Sequence, residues 1–322
     1  MIWLTWRQHR KQALFAAAGL AVIALYLIPT GLAMHHKFNG SGLAACLDKL
    51  GNAQFLPAGT QDCTVQAQQF ADQYKAVDIV SSLFIFLPLL VGLFWGAPLV
   101  AREIEHGTHR LVWTQGVSRR HWALVKFGLI GGATLVVSAV YAFGLTWWMD
   151  PLRRATGGGR LTVGAFDVQG VAPIGYTLFA VGLGIFAGTV WRRALPSMAV
   201  TLVGFLVLRI ALTVWARPRY LPALTLDYPL QDALQHNMAR GDWVQSTGIR
   251  DGAGKLILAN GQMSCRPGVS DCGQDLASGA HNWQLFQPGS RFWLFQGIET
   301  GIFVALAVLL LYFALQRIRR IA

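Results

Sequence analysis

Six stretches of this chain run for about 20 residues or more almost without charge, and nothing else in the sequence constrains the fold as strongly. They are Ala13–Ala33, Ile79–Val100, Phe127–Met149, Val171–Trp191, Ala194–Ala216 and Phe292–Gln316. A hydrocarbon core about 30 Å thick is crossed by ~20 residues of helix. The first four runs hold no Asp, Glu, Lys or Arg, the fifth holds only Arg209 and the sixth only Glu299. Charged residues make up 13% of the 322 positions and hydrophobic ones 54%, whereas soluble domains carry about 25% charge. That pattern excludes a soluble enzyme and a disordered regulator. It predicts an all-α membrane protein with six transmembrane helices, whose first partner is the lipid bilayer. The net charge of +12 does not imply nucleic acid, because the basic residues lie between apolar runs rather than on a strongly charged soluble surface.

Orientation follows from the loops, since Lys and Arg accumulate on the cytoplasmic side of short connections. With the N-terminus inside, the inner segments carry Arg7, Arg10, Lys11, Arg102, Arg110, Arg119, Arg120, Lys126, Arg192, Arg193, Arg317, Arg319 and Arg320, opposed by Glu103 and Glu105 alone. The longer outer segments nearly balance their basic residues with Asp. An N-in, C-in topology is expected. Trp3, Trp6, Trp122 and Trp191 then mark inner span ends and Trp147, Trp148, Trp215 and Trp293 outer ones, where amphipathic rings favour the headgroup layer.

The chain divides accordingly. Residues 1–34 form an interfacial helix and span one, and 35–78 an outer loop. Residues 79–149 hold spans two and three with an inner loop at 101–120. Residues 150–216 hold an outer loop and spans four and five. Residues 217–291 form a small extracellular cap, and 292–322 span six and a basic terminus. The first apolar run exceeds the about 7–15 residues of a secretory signal core, so an uncleaved span is expected despite Gly31-Leu32-Ala33. Within the cap, Asp251-Gly252-Ala253-Gly254 between Val244-Gln245-Ser246 and Leu256-Ile257-Leu258 predicts a hairpin.

All four cysteines, Cys46, Cys63, Cys265 and Cys272, fall in the outer loops. Four cysteines permit three pairings. Local bridges Cys46–Cys63 and Cys265–Cys272 are favoured because each closes a short loop, and the one-sided distribution implies an oxidising exterior. The spacings match no zinc pattern.

Few motifs suggest chemistry within the chain. Gly252-Ala253-Gly254-Lys255 lacks the upstream Gly and the following Ser or Thr of a phosphate loop, so no cofactor is expected here. Glu103, His106 and His109, spaced by three, resemble metal ligands but read more simply as a solvated helix face. Gly184 with Gly188 and Gly128 with Gly132 have the spacing of close-packing sites between membrane helices. No Ser, His and Asp set lies at one membrane depth, so catalytic residues are not expected.

The loop after span two is more specific. It reads Ala101-Arg102-Glu103-Ile104-Glu105-His106-Gly107-Thr108, then Leu111, then Trp113-Thr114-Gln115-Gly116-Val117-Ser118-Arg119, with Lys126 downstream. This resembles the signature after the second span of ABC exporter permeases of the drug and polysaccharide type: an acidic pair, Gly-Thr, a Leu-rich turn, Val-Ser-Arg and a later Lys. The family usually has Pro where Gln115-Gly116 stands. Ser290-Arg291-Phe292-Trp293 with Gln296 and Glu299 resembles the start of the last span in actinobacterial members.

The resemblance implies a multi-pass permease subunit in a bacterial cell membrane, with a second permease copy and a pair of separate ATPase subunits as partners. ATP and Mg would sit on those subunits. It implies that residues 101–120 form a coupling helix docked on the ATPase, carried by Arg102, Glu103, Glu105, Gly107, Thr108, Val117, Ser118, Arg119 and Lys126, with Arg192-Arg193 as a smaller contact. A non-transporting sensor or immunity subunit and a membrane-embedded enzyme are the competing classes. Finally, Arg209 and Glu299 each lie seven residues from the outer end of a span, roughly 10 Å deep at ~1.5 Å per residue. A charge at that depth needs a partner, so an Arg209–Glu299 ion pair is expected.

Overall fold

The computed structural model describes residues 2–50, 63–107, 118–230, 241–263, 276 and 279–320. Among them are six helices long and apolar enough to cross a membrane: Ala17–Gly40, Lys75–Glu105, Arg119–Thr156, Ala172–Trp191, Ala194–Arg219 and Gly289–Arg319. We number these spans one to six. Each expected apolar run lies within or largely within one of them, and the helices extend beyond the runs at most ends. Span one is part of an unbroken helix Ile2–Gly40, so the basic N-terminal segment continues the span rather than forming a separate interfacial helix.

Helix ends and irregularities trace to individual residues. Span three begins at Ser118, whose hydroxyl accepts the His121 N–H at 3.3 Å, an N-cap that satisfies one of the orphan donors of the first turn. Pro151 lies inside the same helix and cannot donate to the Trp147 carbonyl four residues back. His35 of span one fills the gap, with Nε2 3.0 Å from Trp147 O and its ring stacked on the Trp147 indole. In span two each proline follows a departure from α geometry. Pro88 follows a 3₁₀ turn at Phe84–Phe86, and Pro98 follows a π turn at Gly92–Gly96.

Span four is the centre of the bundle. Some 67% of its apolar stretch is buried, against at most 28% in any other span. It packs on span six along Gly175 and Gly182, and on span two along Gly184 and Gly188. A Cβ at Gly184 would lie 2.5 Å from Ala97 N and 2.8 Å from Gly96 C. Only a residue without a side chain admits two helix backbones this close. Gly128 and Gly132 behave differently from expectation: a Cβ at either meets nothing within 4 Å, so they pack no helix among the described residues.

At one end of the bundle, the top of span one, the helix Leu43–Leu50 and the helix Thr64–Gln73 enclose an apolar cluster containing Met34, Phe38, Leu43, Phe70 and Trp148. The disulfide Cys46–Cys63 ties these helices together across a separation of 17 residues. Constraining a loop of that size contributes about 3 kcal/mol in the chain-entropy account. Cys265 and Cys272 lie outside the described residues.

At the same end, the segment between spans five and six carries a four-stranded antiparallel sheet in the order β1-β4-β2-β3 (β1 Leu224–Pro229, β2 Trp243–Arg250, β3 Leu256–Ala259, β4 His281–Gln287). The expected hairpin is β2–β3. Its turn is held by the Asp251 carboxylate, which accepts the N–H groups of Ala253 at 3.0 Å and Lys255 at 2.8 Å. The segment that resembled a phosphate loop is therefore a hairpin turn. The sheet is fastened to the bundle by Gln287 Nε2 donating to Leu221 O at 2.8 Å and by Gly289 N donating to Asp242 Oδ1 at 2.7 Å.

Candidate functional site: a buried charge network

Between spans three and four the chain turns back into the protein. Leu161, Phe166, Asp167, Val168 and Gln169 are all buried, and Ala165–Val168 form a single helical turn. Irregular backbone at such a position is tolerated only where protein covers it. The cover comes from Gln296 of span six, whose Oε1 accepts the N–H groups of Val171 at 2.9 Å and Ala172 at 2.6 Å, while its Nε2 donates to Phe166 O at 3.0 Å. One glutamine thus caps the start of span four and pins the re-entrant turn.

One helical turn further along span six, Glu299 is fully buried. Arg217 donates to it from two nitrogens, Nε to Oε2 at 2.9 Å and Nη2 to Oε1 at 2.7 Å. Such forked pairs are the strongest ionic hydrogen bonds in proteins. Nη2 of Arg217 also reaches Asp167 Oδ1 at 2.7 Å. The hydroxyls of Tyr176 (2.6 Å) and Tyr220 (3.3 Å) donate to Glu299 as well. Arg209 approaches Asp167 Oδ1 at 3.1 Å and lays its guanidinium on the Tyr176 ring, 3.6 Å from the centroid; Arg217 stacks similarly on Phe166 at 4.2 Å. Two carboxylates and two guanidiniums sum to zero charge, which is how a low-dielectric interior holds four ions.

The expected Arg209–Glu299 pair is therefore corrected. Both residues belong to one network, but Glu299 meets Arg217 and Arg209 meets Asp167. The reason is local helix geometry. On an α-helix, residues eight apart diverge by about 80° at ~100° per residue. Span five contains a π turn at Leu212–Ala216, which takes up one extra residue. Arg209 and Arg217 are then spaced like residues seven apart, about 20° from alignment, and share a face. Arg217, at the very end of the span, becomes the partner that Glu299 needs.

Sequence reasoning missed Asp167, Tyr176, Arg217 and Tyr220. Arg217-Pro218-Arg219 reads as an ordinary interfacial cluster, and no periodicity reveals a π turn. Asp167 did leave a trace: a lone acid between Phe166 and Val168 in a Gly-rich connection has no reason to sit among apolar residues unless it is paired.

Asp167 is held ionised below the ordinary carboxylate range. Burial alone would raise its pKa, but the guanidiniums of Arg209 and Arg217 and a backbone N–H bond from the re-entrant turn outweigh it. A lowered folded-state value means its stabilisation is complete above the unfolded pKa of about 3.9 and fades only as pH falls through the folded value. Detergent-solubilised protein should keep a flat Tm from pH 7 to about 4 with respect to this group. Asp167→Asn should be less stable than wild type at pH 7, with the gap closing below about pH 4. A gap independent of pH would show that ionisation of Asp167 contributes nothing.

The opposite end of the bundle carries the residues of the expected coupling loop. Lys126, 2% exposed, forms an ion pair with Glu103, joining the end of span two to the start of span three. Glu105 Oε2 accepts the Ala194 N–H at 3.0 Å, tying the end of span two to the turn Arg192-Arg193. Arg102 is exposed beside them. The helix of span two ends at Glu105, and Gly107 follows with φ +69°, a left-handed conformation that closes a helix and suits glycine. Of the coupling helix expected over 101–120, the described parts are the end of span two, up to Glu105, and the start of span three, from Arg119. Residues 108–117, with Thr108, His109 and Val117 among them, lie outside the described residues. Spans one, two and three also frame an apolar groove of about 430 Å³, lined by Leu20, Ile23, Leu90, Phe94 and Tyr141.

Six membrane helices, the fourth of them central and glycine-packed, together with a buried ionic network, define a multi-pass membrane protein. The chain belongs to the family described as ABC-2 membrane transporter related, which matches residues 17–217. It is accordingly a membrane permease component of an ABC transporter, a transport subunit from a family whose members generally work with ATPase subunits. Comparisons with curated proteins and with solved structures give no match.

Proposed function

We propose that this chain is the permease of an ATP-driven exporter, oriented N-in, pairing with a second permease copy and driven by two separate ATPase subunits that carry ATP and Mg. The observation that carries the reading is the linkage at one end of the bundle. Glu103 holds Lys126 and Glu105 holds Ala194 N–H, so a push on the loop after span two reaches spans three and five directly. On this reading that end faces the cytoplasm, and Arg102, Gly107, Thr108, Val117, Ser118 and Arg119 complete the surface offered to the ATPase.

At the other end the charge network clamps spans four, five and six. A lever needs such a rigid half, because motion delivered to a soft bundle would dissipate in local rearrangement. Both carboxylates are committed to guanidinium groups, so the network acts as a structural clamp rather than as an acid–base pair. The apolar groove between spans one, two and three suits lateral entry of an apolar substrate from the inner leaflet. Six spans enclose little central space, and a second copy would complete a pathway.

The test uses the permease with its co-purifying ATPase, reconstituted in proteoliposomes. Glu105→Ala removes the tie to span five. Gly107→Pro demands φ near −65° where the chain has +69°. Each should reduce permease-stimulated ATP hydrolysis at least tenfold while the protein remains inserted. Normal stimulation by both variants would overturn the coupling assignment. ATPase stimulation by wild type with no net solute movement for any apolar substrate would favour a sensor over an exporter.

A further inference from the structure

A cavity of about 570 Å³ opens at the sheet-side ends of spans two and three, reaching the re-entrant turn at Gly164, Ala165 and Gln169. Asp72, Lys75, Asp78 and Ser82 line one wall, Arg153 the other, and Gln169 of the re-entrant turn contributes to the base. Its volume is that of a small-molecule site.

Three observations specify its occupant. Gln169 is 2% exposed, and its Nε2 has no hydrogen-bond partner among the described residues. A buried amide donor left unpaired is costly, so the base of the cavity calls for an acceptor. Lys75 and Asp78 come next: both are exposed, stand three apart at the start of one helix, and form no ion pair among the described residues. Residues at that spacing lie about 5–6 Å apart at Cβ, which offers a cation and an anion to the same ligand. Asp72, which accepts a hydrogen bond from Gln68, adds a second carboxylate to the side that would hold an ammonium. Arg153, by contrast, is already neutralised by Asp150. The third observation is position. Lys75 begins a membrane span and Thr156 ends one, so the cavity lies where a bilayer's headgroups lie, with Met149 and Leu152 on its apolar side.

We propose that this cavity binds a zwitterionic phosphate–ammonium group, of which phosphoethanolamine is the simplest example. Phosphate oxygens accept from Lys75 and from the Gln169 amide, and the ammonium is held by Asp78. A phosphate supplies acceptors to both donors at once. An anionic headgroup without an ammonium leaves Asp78 facing like charge. The same chemistry is available from a phosphatidylethanolamine headgroup or from a free phosphorylated amine. The inference rests on the membrane-spanning reading of spans two and three and not on ATPase coupling.

Native mass spectrometry on the delipidated full-length chain, with no ATPase present, tests it. Dioleoyl-phosphatidylethanolamine should bind saturably, and dioleoyl-phosphatidylglycerol should bind at least tenfold more weakly. Lys75→Gln and Asp78→Asn, at exposed positions that should not disturb folding, should each weaken binding about tenfold. Gln169→Leu should weaken it as well. Competition by free O-phosphoethanolamine would show that the headgroup suffices, whereas lipid binding without competition would assign the site to the bilayer; both support the proposal. Equal binding of the two lipids, no saturable binding of either, or unchanged affinity in both surface variants would overturn it. Because no ATPase enters the measurement, failure here and failure of the coupling reading are separable.

Discussion

Removing the Glu299 carboxylate should destabilise the protein by ~3–5 kcal/mol, the usual cost of stranding one partner of a buried ion pair. Glu299 and Arg217 are both fully buried and joined by two hydrogen bonds, so neither charge can turn to water when the other is lost. Glu299→Gln and Arg217→Gln should each lower Tm substantially in detergent. The double variant should recover at least ~1 kcal/mol of the summed loss, because contacting residues are non-additive. Arg209→Gln should be milder. Its guanidinium sits at ion-pair distance from Asp167 but makes no hydrogen bond through Nη1 or Nη2 among the described residues, and it should couple to Glu299 more weakly than Arg217 does. Additive losses for Arg217→Gln with Glu299→Gln would mean that the forked pair contributes no coupling.

Gly184→Ala should be the most damaging single-methyl change in the spans. The new Cβ would meet Ala97 N at 2.5 Å, Gly96 C at 2.8 Å and Gly92 O at 2.9 Å. All three are backbone atoms, so relief requires spans two and four to move apart. Overpacking of this kind costs about 1–3 kcal/mol, and Gly184→Leu should prevent recovery of monodisperse protein. Gly128→Ala offers the control. No described residue lies within 4 Å of a Cβ there, and replacing glycine inside a helix contributes about 0.5–1 kcal/mol in favour of the fold. Thermal unfolding of the two variants side by side should separate them clearly. Equal losses would show that the contact of spans two and four is not what the glycine serves.

Those two glycines also show what was legible in the sequence. Both have the small-residue spacing of membrane helix contacts, yet only Gly184 packs against a neighbouring helix. Spacing establishes that a close approach is allowed, not which helix takes it up. The spans themselves were legible because lipid penalises charge residue by residue, and the β2–β3 hairpin because Asp251 and Gly254 are turn residues of specific geometry. The Cys46–Cys63 bridge followed from loop length. The charge network was half legible. Arg209 and Glu299 were conspicuous because nothing charged surrounds them, whereas Arg217 looked interfacial and Asp167 looked like loop. Their meeting depends on a π turn and a re-entrant segment, both tertiary outcomes that leave no periodic trace.

The burial of span four bears on how the molecule is made. A helix surrounded by its neighbours has little lipid-facing surface in the finished bundle, yet part of what covers it, span six, lies some 100 residues later in the sequence. Until span six arrives, Gly175 and Gly182 lack the helix they pack against. Span six brings Gln296 to cap span four and Glu299 to accept Arg217. Up to that moment Arg209 and Arg217 share the single carboxylate of Asp167, leaving an open intermediate with one uncompensated positive charge. Arrival of span six and closure of the interior are therefore one event, and a product truncated before Phe292 would remain exposed at the point where the folded protein is most tightly shut.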